Sequence, residues 1–198
     1  MRIFGVILAG GQGRRMGGAD KALLRLAGQS LLSHVLDRLE PQVERVAISA
    51  NGNAGRFGHD LTVLTDDLGA GPLAGICAAL DWAAPLGATA VLSAPVDAPF
   101  LPGDLCPRLC LAAETAPEGL AIAAAAGREH PTFGLWPVAL RGPLRAFLAS
   151  GAKPKVLDFT RAHGAAIAPF PEALAFENLN TPEDLARAEA LLQDCARV

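Results

Sequence analysis

Apolar and polar residues alternate along this chain in blocks that read as strands and helices in turn. Ile3-Phe4-Gly5-Val6-Ile7-Leu8 is a continuous apolar run, too short for a helix, and predicts a buried strand. Lys21 to Leu26 leads to a turn at Gly28-Gln29, after which Ser30 stands as an N-cap before Leu31, Leu32, Val35, Leu36 and Leu39 at helical spacing, with Pro41 as the stop. Val46-Ala47-Ile48-Ser49-Ala50 predicts a second strand, parallel to the first as a βαβ unit requires. Further strands are expected at Leu61–Leu64, Thr89–Ala94 and Leu120–Ala125. A helix opens at Gly71-Pro72 and carries Ile76, Leu80 and Trp82; others cover Asp104–Ala113, Val138–Ala149 and Val156–Arg161. A turn at 127–132 presents His130 at its tip, before the apolar Phe133-Gly134-Leu135-Trp136. The last helix starts with Thr181 as N-cap, Pro182 at its first position and Asp184 in a capping-box-like role. This alternation predicts an α/β fold with a mostly parallel central sheet flanked by helices.

At 198 residues, with 51% hydrophobic and 19% charged residues, the chain reads as one domain over 1–198 with at most a small extension. Its net charge of −3 argues against a nucleic-acid surface, which needs a basic face. Positive charge gathers instead at Arg14, Arg15, Lys21 and Arg25, as suits a small anionic ligand. No secretory signal and no apolar stretch near the ~18 residues that span a bilayer is found, so a cytoplasmic location without membrane contact is expected. Cys77, Cys106, Cys110 and Cys195 form no CxxC and no metal-ligand spacing; packing roles or free thiols are expected.

Candidate chemistry gathers at the ends of the expected strands. Leu8-Ala9-Gly10-Gly11-Gln12-Gly13-Arg14-Arg15 runs on through Met16-Gly17-Gly18-Ala19-Asp20-Lys21 as a glycine-rich, basic loop directly after a strand. Glycines let backbone N–H groups approach phosphate oxygens, and Arg and Lys add charge. Neither better-known phosphate loop fits: Met16 stands where GxGxxG needs its third glycine, and Ala19 where the Walker pattern needs lysine. Ser49 and Asn51 sit at the next strand end, where they either read a base edge or close a turn. Asp66 and Asp67 end the third strand, facing a base, ribose or metal, or else solvent. Asp97, held between Pro95 and Pro99, is the candidate metal ligand, since Mg²⁺ favours one or two carboxylates plus phosphate oxygens. Asn178 and Asn180 alternate around Leu179 and are not explained by capping.

Leu8-Ala9-Gly10-Gly11, Arg15-Met16-Gly17 and Asp20-Lys21 together resemble the signature of Rossmann-like nucleotidyltransferases, most of all the molybdenum cofactor guanylyltransferases. Gly71-Pro72-Leu73-Ala74-Gly75, Pro95-Val96-Asp97-Ala98-Pro99, His130-Pro131-Thr132 and Asn178-Leu179-Asn180-Thr181-Pro182 extend the resemblance from Leu8 to Leu185. It implies a three-layer fold, with the N-terminal half binding GTP and the C-terminal half binding molybdopterin as acceptor. Leu8, Ala9, Gly10, Gly11, Gly13, Lys21, Ser49, Asn51, Asp66 and Asp97 are implied at the GTP site. Arg15, Lys21 and Asp97 are implied in catalysis, Asp97 on Mg²⁺, and His130, Asn178 and Asn180 at the acceptor. Transient contacts with molybdenum-insertion proteins and apo-molybdoenzymes are implied as well. One departure is Ser49, where the compared relative has asparagine. Transfer of cytidylate on the same fold and a non-catalytic nucleotide-binding module are the rival readings.

Overall fold

The computed structural model describes residues 1–10, 20–57, 61–65, 71–150 and 155–195, with side chains up to Gln193. Its elements run β1 (Ile3–Leu8), β2 (Arg25–Leu26), β3 (Gln29–Ser30), α1 (Leu31–Leu39), β4 (Arg45–Ser49), β5 (Thr62–Leu64), α2 (Pro72–Ala83) and β6 (Ala90–Pro95). They continue with α3 (Leu105–Ala113), β7 (Ala121–Ala125), β8 (Arg128–Pro137), α4 (Arg141–Ala149), α5 (Val156–Ala162), β9 (Ala166–Phe170) and α6 (Pro182–Cys195).

β1 lies inside a seven-stranded sheet of order β5-β4-β1-β6-β8-β7-β9. Apolar side chains on both of its faces need cover, which a strand inside a helix-flanked parallel sheet receives. Pairings β1·β4, β1·β6, β4·β5 and β7·β9 are parallel, and β8 alone runs against its neighbours β6 and β7. The mostly parallel α/β sheet expected from the sequence is therefore the one observed.

Helices cover both faces in three layers. Ile7, Ile48 and Leu92 meet Leu32, Val35 and Leu36 of α1 and Leu105 and Leu109 of α3 on one side. Phe4, Val6 and Trp136 meet Leu73, Ile76 and Leu80 of α2, Leu144 of α4 and Phe159 of α5 on the other. α1 illustrates what holds these helices. Ser30 Oγ accepts from the Ser33 N–H, a cap worth about 1 kcal/mol. Leu31, Leu32, Val35, Leu36 and Leu39 are all buried, at about 1.5–3 kcal/mol each. Packing on the sheet decides the helix, and the cap decides where it begins.

The order of strands positions the site. From β1 the chain moves outward to β4 and β5, then returns to lay β6 on the other side of β1. Such a reversal opens a crevice at the carboxyl ends of the strands. The ladder continues past β1 on both sides there: the Ala9 N–H donates to Ser49 O (2.9 Å) and the Val96 N–H to Leu8 O (3.1 Å).

Four features differ from the expectation. β9 was not foreseen, nor was the two-stranded ribbon β2·β3. The helix expected over Val138–Ala149 is a 3-10 turn, Val138–Leu140, followed by α4. His130 is not at a turn tip: Ala126 (φ 49°) and Gly127 (φ 75°) make a two-residue hairpin turn, pairing resumes at Arg128, and His130 lies within β8 opposite Ala123. The register breaks beyond it, between Ile122 and Ala123, where β8 carries Pro131, which has no N–H for a ladder.

Candidate active site

Lys21 is the meeting point of three distant segments. It opens a short 3-10 turn, Lys21–Leu23, whose N-cap is Asp20: Asp20 Oδ1 accepts from the Ala22 N–H at 3.0 Å. From there the Lys21 ammonium donates to Asp97 Oδ2 at 2.8 Å and to Asn180 Oδ1 at 2.6 Å. The Lys21 and Asp97 side chains are 21% and 14% exposed, so the pair is partly shielded yet open to a ligand.

Asp97 reaches this point because β6 ends at Pro95 and the chain turns at once. Its carbonyl accepts from the Leu179 N–H at 2.7 Å, tying the Asn178–Asn180 segment to the strand end. Leu179 is buried with Leu26, Leu31 and Ala188 while Asn178 stays exposed, as alternation along an extended segment requires. Asn180 is oriented from both ends of its amide, since Nδ2 donates to Asn178 O at 3.3 Å while Oδ1 faces Lys21. Behind it, Asp184 Oδ2 accepts from the Asn180 and Thr181 N–H groups, both at 3.0 Å, and Thr181 Oγ1 accepts from the Asp184 N–H at 3.2 Å. These backbone donors hold the Asp184 carboxyl below its usual range. The expected capping of α6 is present, and it also fixes Asn180.

The other strand end, β4, carries Ser49 and Asn51. Ser49 is 2% exposed, and a Cβ on Gly75 of α2 would come within 2.5 Å of its hydroxyl oxygen. Only glycine lets α2 lie this close to the strand end. Asn51 is exposed, and Asn53 closes a turn by accepting from the Gly55 N–H at 3.0 Å. A residue missed in the sequence stands beside them. Arg56 donates to Asp20 Oδ2 (2.6 Å), Asn53 O (2.6 Å) and Asn51 O (2.8 Å), with its guanidinium 4.2 Å from the centre of the Phe57 ring. The one signal that could have found it is its being a lone arginine in the Gly- and Asn-rich stretch after a strand.

His130 stacks on Phe176 (5.0 Å, 28° between planes) and meets Phe133 edge-on. Burial, then the charge of Arg128, lowers its pKa below the ordinary imidazole value, so it is neutral at pH 7. Phe176 lies just before the Asn178–Asn180 segment, so the stacking puts His130 beside that segment.

Of the residues expected at the site, Lys21, Asp97 and Asn180 are in direct contact. Leu8, Ala9, Gly10, Ser49 and Asn51 lie at the ends of the neighbouring strands β1 and β4, and His130 stacks on Phe176, two residues before Asn178. Gly11, Gly13, Arg14, Arg15, Asp66 and Asp67 lie outside the described residues. Arg25 turns away to Gly28 O (2.7 Å), and Lys155 precedes α5 as an exposed residue. Among the described residues no three His, Cys, Asp or Glu side chains cluster as a metal site, and no helix is long and apolar enough to cross a membrane.

The MobA-like NTP transferase domain matches residues 5–166. A molybdenum cofactor guanylyltransferase of Cereibacter sphaeroides is 58% identical over 194 residues, 98% of either chain. One from Rhodobacter capsulatus is 51% identical over 201 residues, 99% of this chain and 100% of that one. Among solved structures, molybdopterin-guanine dinucleotide biosynthesis protein A from Archaeoglobus fulgidus is similar in fold. Its TM-score is 0.80 at 24% identity, covering 96% of this chain and 99% of that one.

Proposed function

The chain belongs to the molybdenum cofactor guanylyltransferases, and from that premise we propose how its residues share the work of moving GMP from GTP to the terminal phosphate of molybdopterin, with pyrophosphate leaving. The observation that carries the division of labour is the Lys21 ammonium held between Asp97 and Asn180. It joins the end of the donor loop, the strand-end carboxylate and the amide segment at one point.

The attacking group is a phosphate monoester, largely ionised near neutral pH. Catalysis therefore needs charge neutralisation and alignment more than a base. Backbone N–H groups of Gly10, Gly11 and Gly13, with Arg15 and Lys21, bind the donor phosphates and the departing pyrophosphate. Asn51 and Asp66 read the guanine edge, with Ser49 and Gly75 forming the floor beneath it and Leu8 and Ala9 its wall. Asn178, Asn180 and the neutral His130 hold the acceptor, His130 through hydrogen bonding and stacking. The N-terminal half of a single domain thus serves GTP and the C-terminal half the acceptor.

The family uses a divalent metal, and the oxygen donors here fit Mg²⁺. The Asp97 carboxylate and the Asn180 amide oxygen already converge on one cation, the Lys21 ammonium. Two protein oxygens beside phosphate oxygens are a donor set that Mg²⁺ accepts. When bound, it supplies positive charge at the reacting phosphates and helps align them. A cytoplasmic location fits a GTP-consuming reaction, and transient contact with molybdenum-insertion proteins and apo-molybdoenzymes fits a product destined for other proteins.

The test is pyrophosphate release from each of the four nucleoside triphosphates with Mg²⁺, with and without molybdopterin. Release with GTP alone, and only when acceptor is present, is the expected result. Release with CTP would overturn the base assignment, and acceptor-independent inertness toward all four would overturn the transferase reading.

A further inference from the structure

Arg56 has no part in the division of labour above, yet its guanidinium makes three hydrogen bonds to groups beside the site. We propose that Arg56 is a positioning residue that locks the base-reading loop after β4 to the exit of the donor-phosphate loop, and thereby sets discrimination between purine triphosphates. The inference rests on the guanylyltransferase reading.

The guanidinium fork bridges two loops at once. One edge holds Asn51 O and Asn53 O, at 2.8 and 2.6 Å, so both carbonyls of the loop point at one group. Nε holds Asp20 Oδ2 at 2.6 Å, and the other oxygen of that carboxylate caps the turn that launches Lys21. Phe57, 5% exposed and part of the core beneath α1, supports the guanidinium face. Gly52 completes the fit: its φ of +92° lets the loop wrap, and a Cβ there would meet Arg56 at 3.4 Å. Displacing Asn51 therefore requires breaking contacts that also restrain Asp20. A lysine can keep the charge pair with Asp20 but cannot present a planar fork to both carbonyls. The two halves of the lock are separable for that reason. The carbonyl half governs how the base is read, and the Asp20 half governs where Lys21 stands.

Steady-state pyrophosphate release with GTP and with ITP, which lacks the 2-amino group, separates them. It is run on wild type, Arg56→Lys and Asp20→Asn well below the lowest melting temperature. With about 1.4 kcal/mol per tenfold change, loss of the two carbonyl bonds in Arg56→Lys should raise KM for GTP about tenfold and cut the GTP:ITP preference severalfold, while kcat stays within about twofold. Asp20→Asn, which keeps an oxygen for the Ala22 N–H, should lower kcat about tenfold and leave the preference unchanged. An Arg56→Lys chain that keeps wild-type KM and GTP:ITP preference overturns the inference, whatever its melting temperature. So does Asp20→Asn behaving like Arg56→Lys. If Arg56→Lys does not fold, Gly52→Ala carries the test, and its GTP:ITP preference must fall. A wild type inert toward GTP with acceptor present overturns the transferase reading itself, a result distinct from an active wild type with an indifferent Arg56.

Discussion

Two polar clusters hang from β6 a short step apart, and they are built on opposite terms. At Ser93 the hydroxyl donates to Thr132 O (2.8 Å) and accepts from the Trp136 indole N–H (2.9 Å), with Ser93 and Trp136 both fully buried. Every partner there is neutral and supplied by β8. At Asp97 the partners are charged or amide groups drawn from the donor-loop exit and the segment before α6, and all remain partly exposed. Among the described residues, Asp97 Oδ1 and one proton of the Lys21 ammonium make no protein hydrogen bond. The first cluster has both of its side-chain donors, the Ser93 O–H and the Trp136 N–H, engaged and no surface a ligand could reach, and it seats β8 on β6. The second holds itself together through the Lys21 ammonium and stays partly open to solvent. Polarity near a strand end does not by itself mark a site; unfinished polarity does.

The comparison breaks first at Asp97. Under the proposed role of Asp97, replacing it with alanine removes a carboxylate that serves the reacting phosphates, and kcat/KM should fall by about 10²–10³-fold, with the melting temperature little changed. Ser93→Ala should do the reverse. It leaves the Trp136 N–H unpaired in a site with no solvent, a cost of about 1–3 kcal/mol and a few degrees in Tm, with kcat/KM intact below the melting range.

The smallest effect sharpens the boundary between site and scaffold at Asp184. Its carboxyl sits lower in the folded chain than its ordinary value of 3.8, so its stabilising contribution is complete above that value and is lost as pH falls through the folded one. Asp184→Asn should flatten the acid limb of stability below about pH 4 and change nothing in its slope at neutral pH, as read by thermal melts across a pH series.

Much of this was legible because the strands and capped helices carry their own patterns. The apolar run of β1, the Ser30 cap with leucines at helical spacing, and Thr181-Pro182-Glu183-Asp184 each encode their element locally. Lys21, Asp97 and Asn180 were each nominated by local chemistry or by family resemblance, but their contact spans up to 159 residues and no local pattern records it. β9 escaped notice because it is a sheet edge: Ile167 is 44% exposed and Pro169 interrupts the pattern, so little apolar contrast remains. His130 was assigned to the turn because the polar stretch 127–132 separates two apolar runs, whereas the tight Ala126-Gly127 turn sets the register and a bulge absorbs Pro131. Arg56 was missed because its partners lie 3, 5 and 36 positions away, a combination that no periodicity marks.

The most direct test measures kcat/KM for GTP with molybdopterin and Tm on the same preparations of wild type, Asp97→Ala and Ser93→Ala. The two variants should separate fully: Asp97→Ala folded and inactive, Ser93→Ala active and less stable. An Asp97→Ala chain that keeps its activity, or a Ser93→Ala chain that loses it while folded, would contradict the assignment of one cluster to chemistry and the other to the fold.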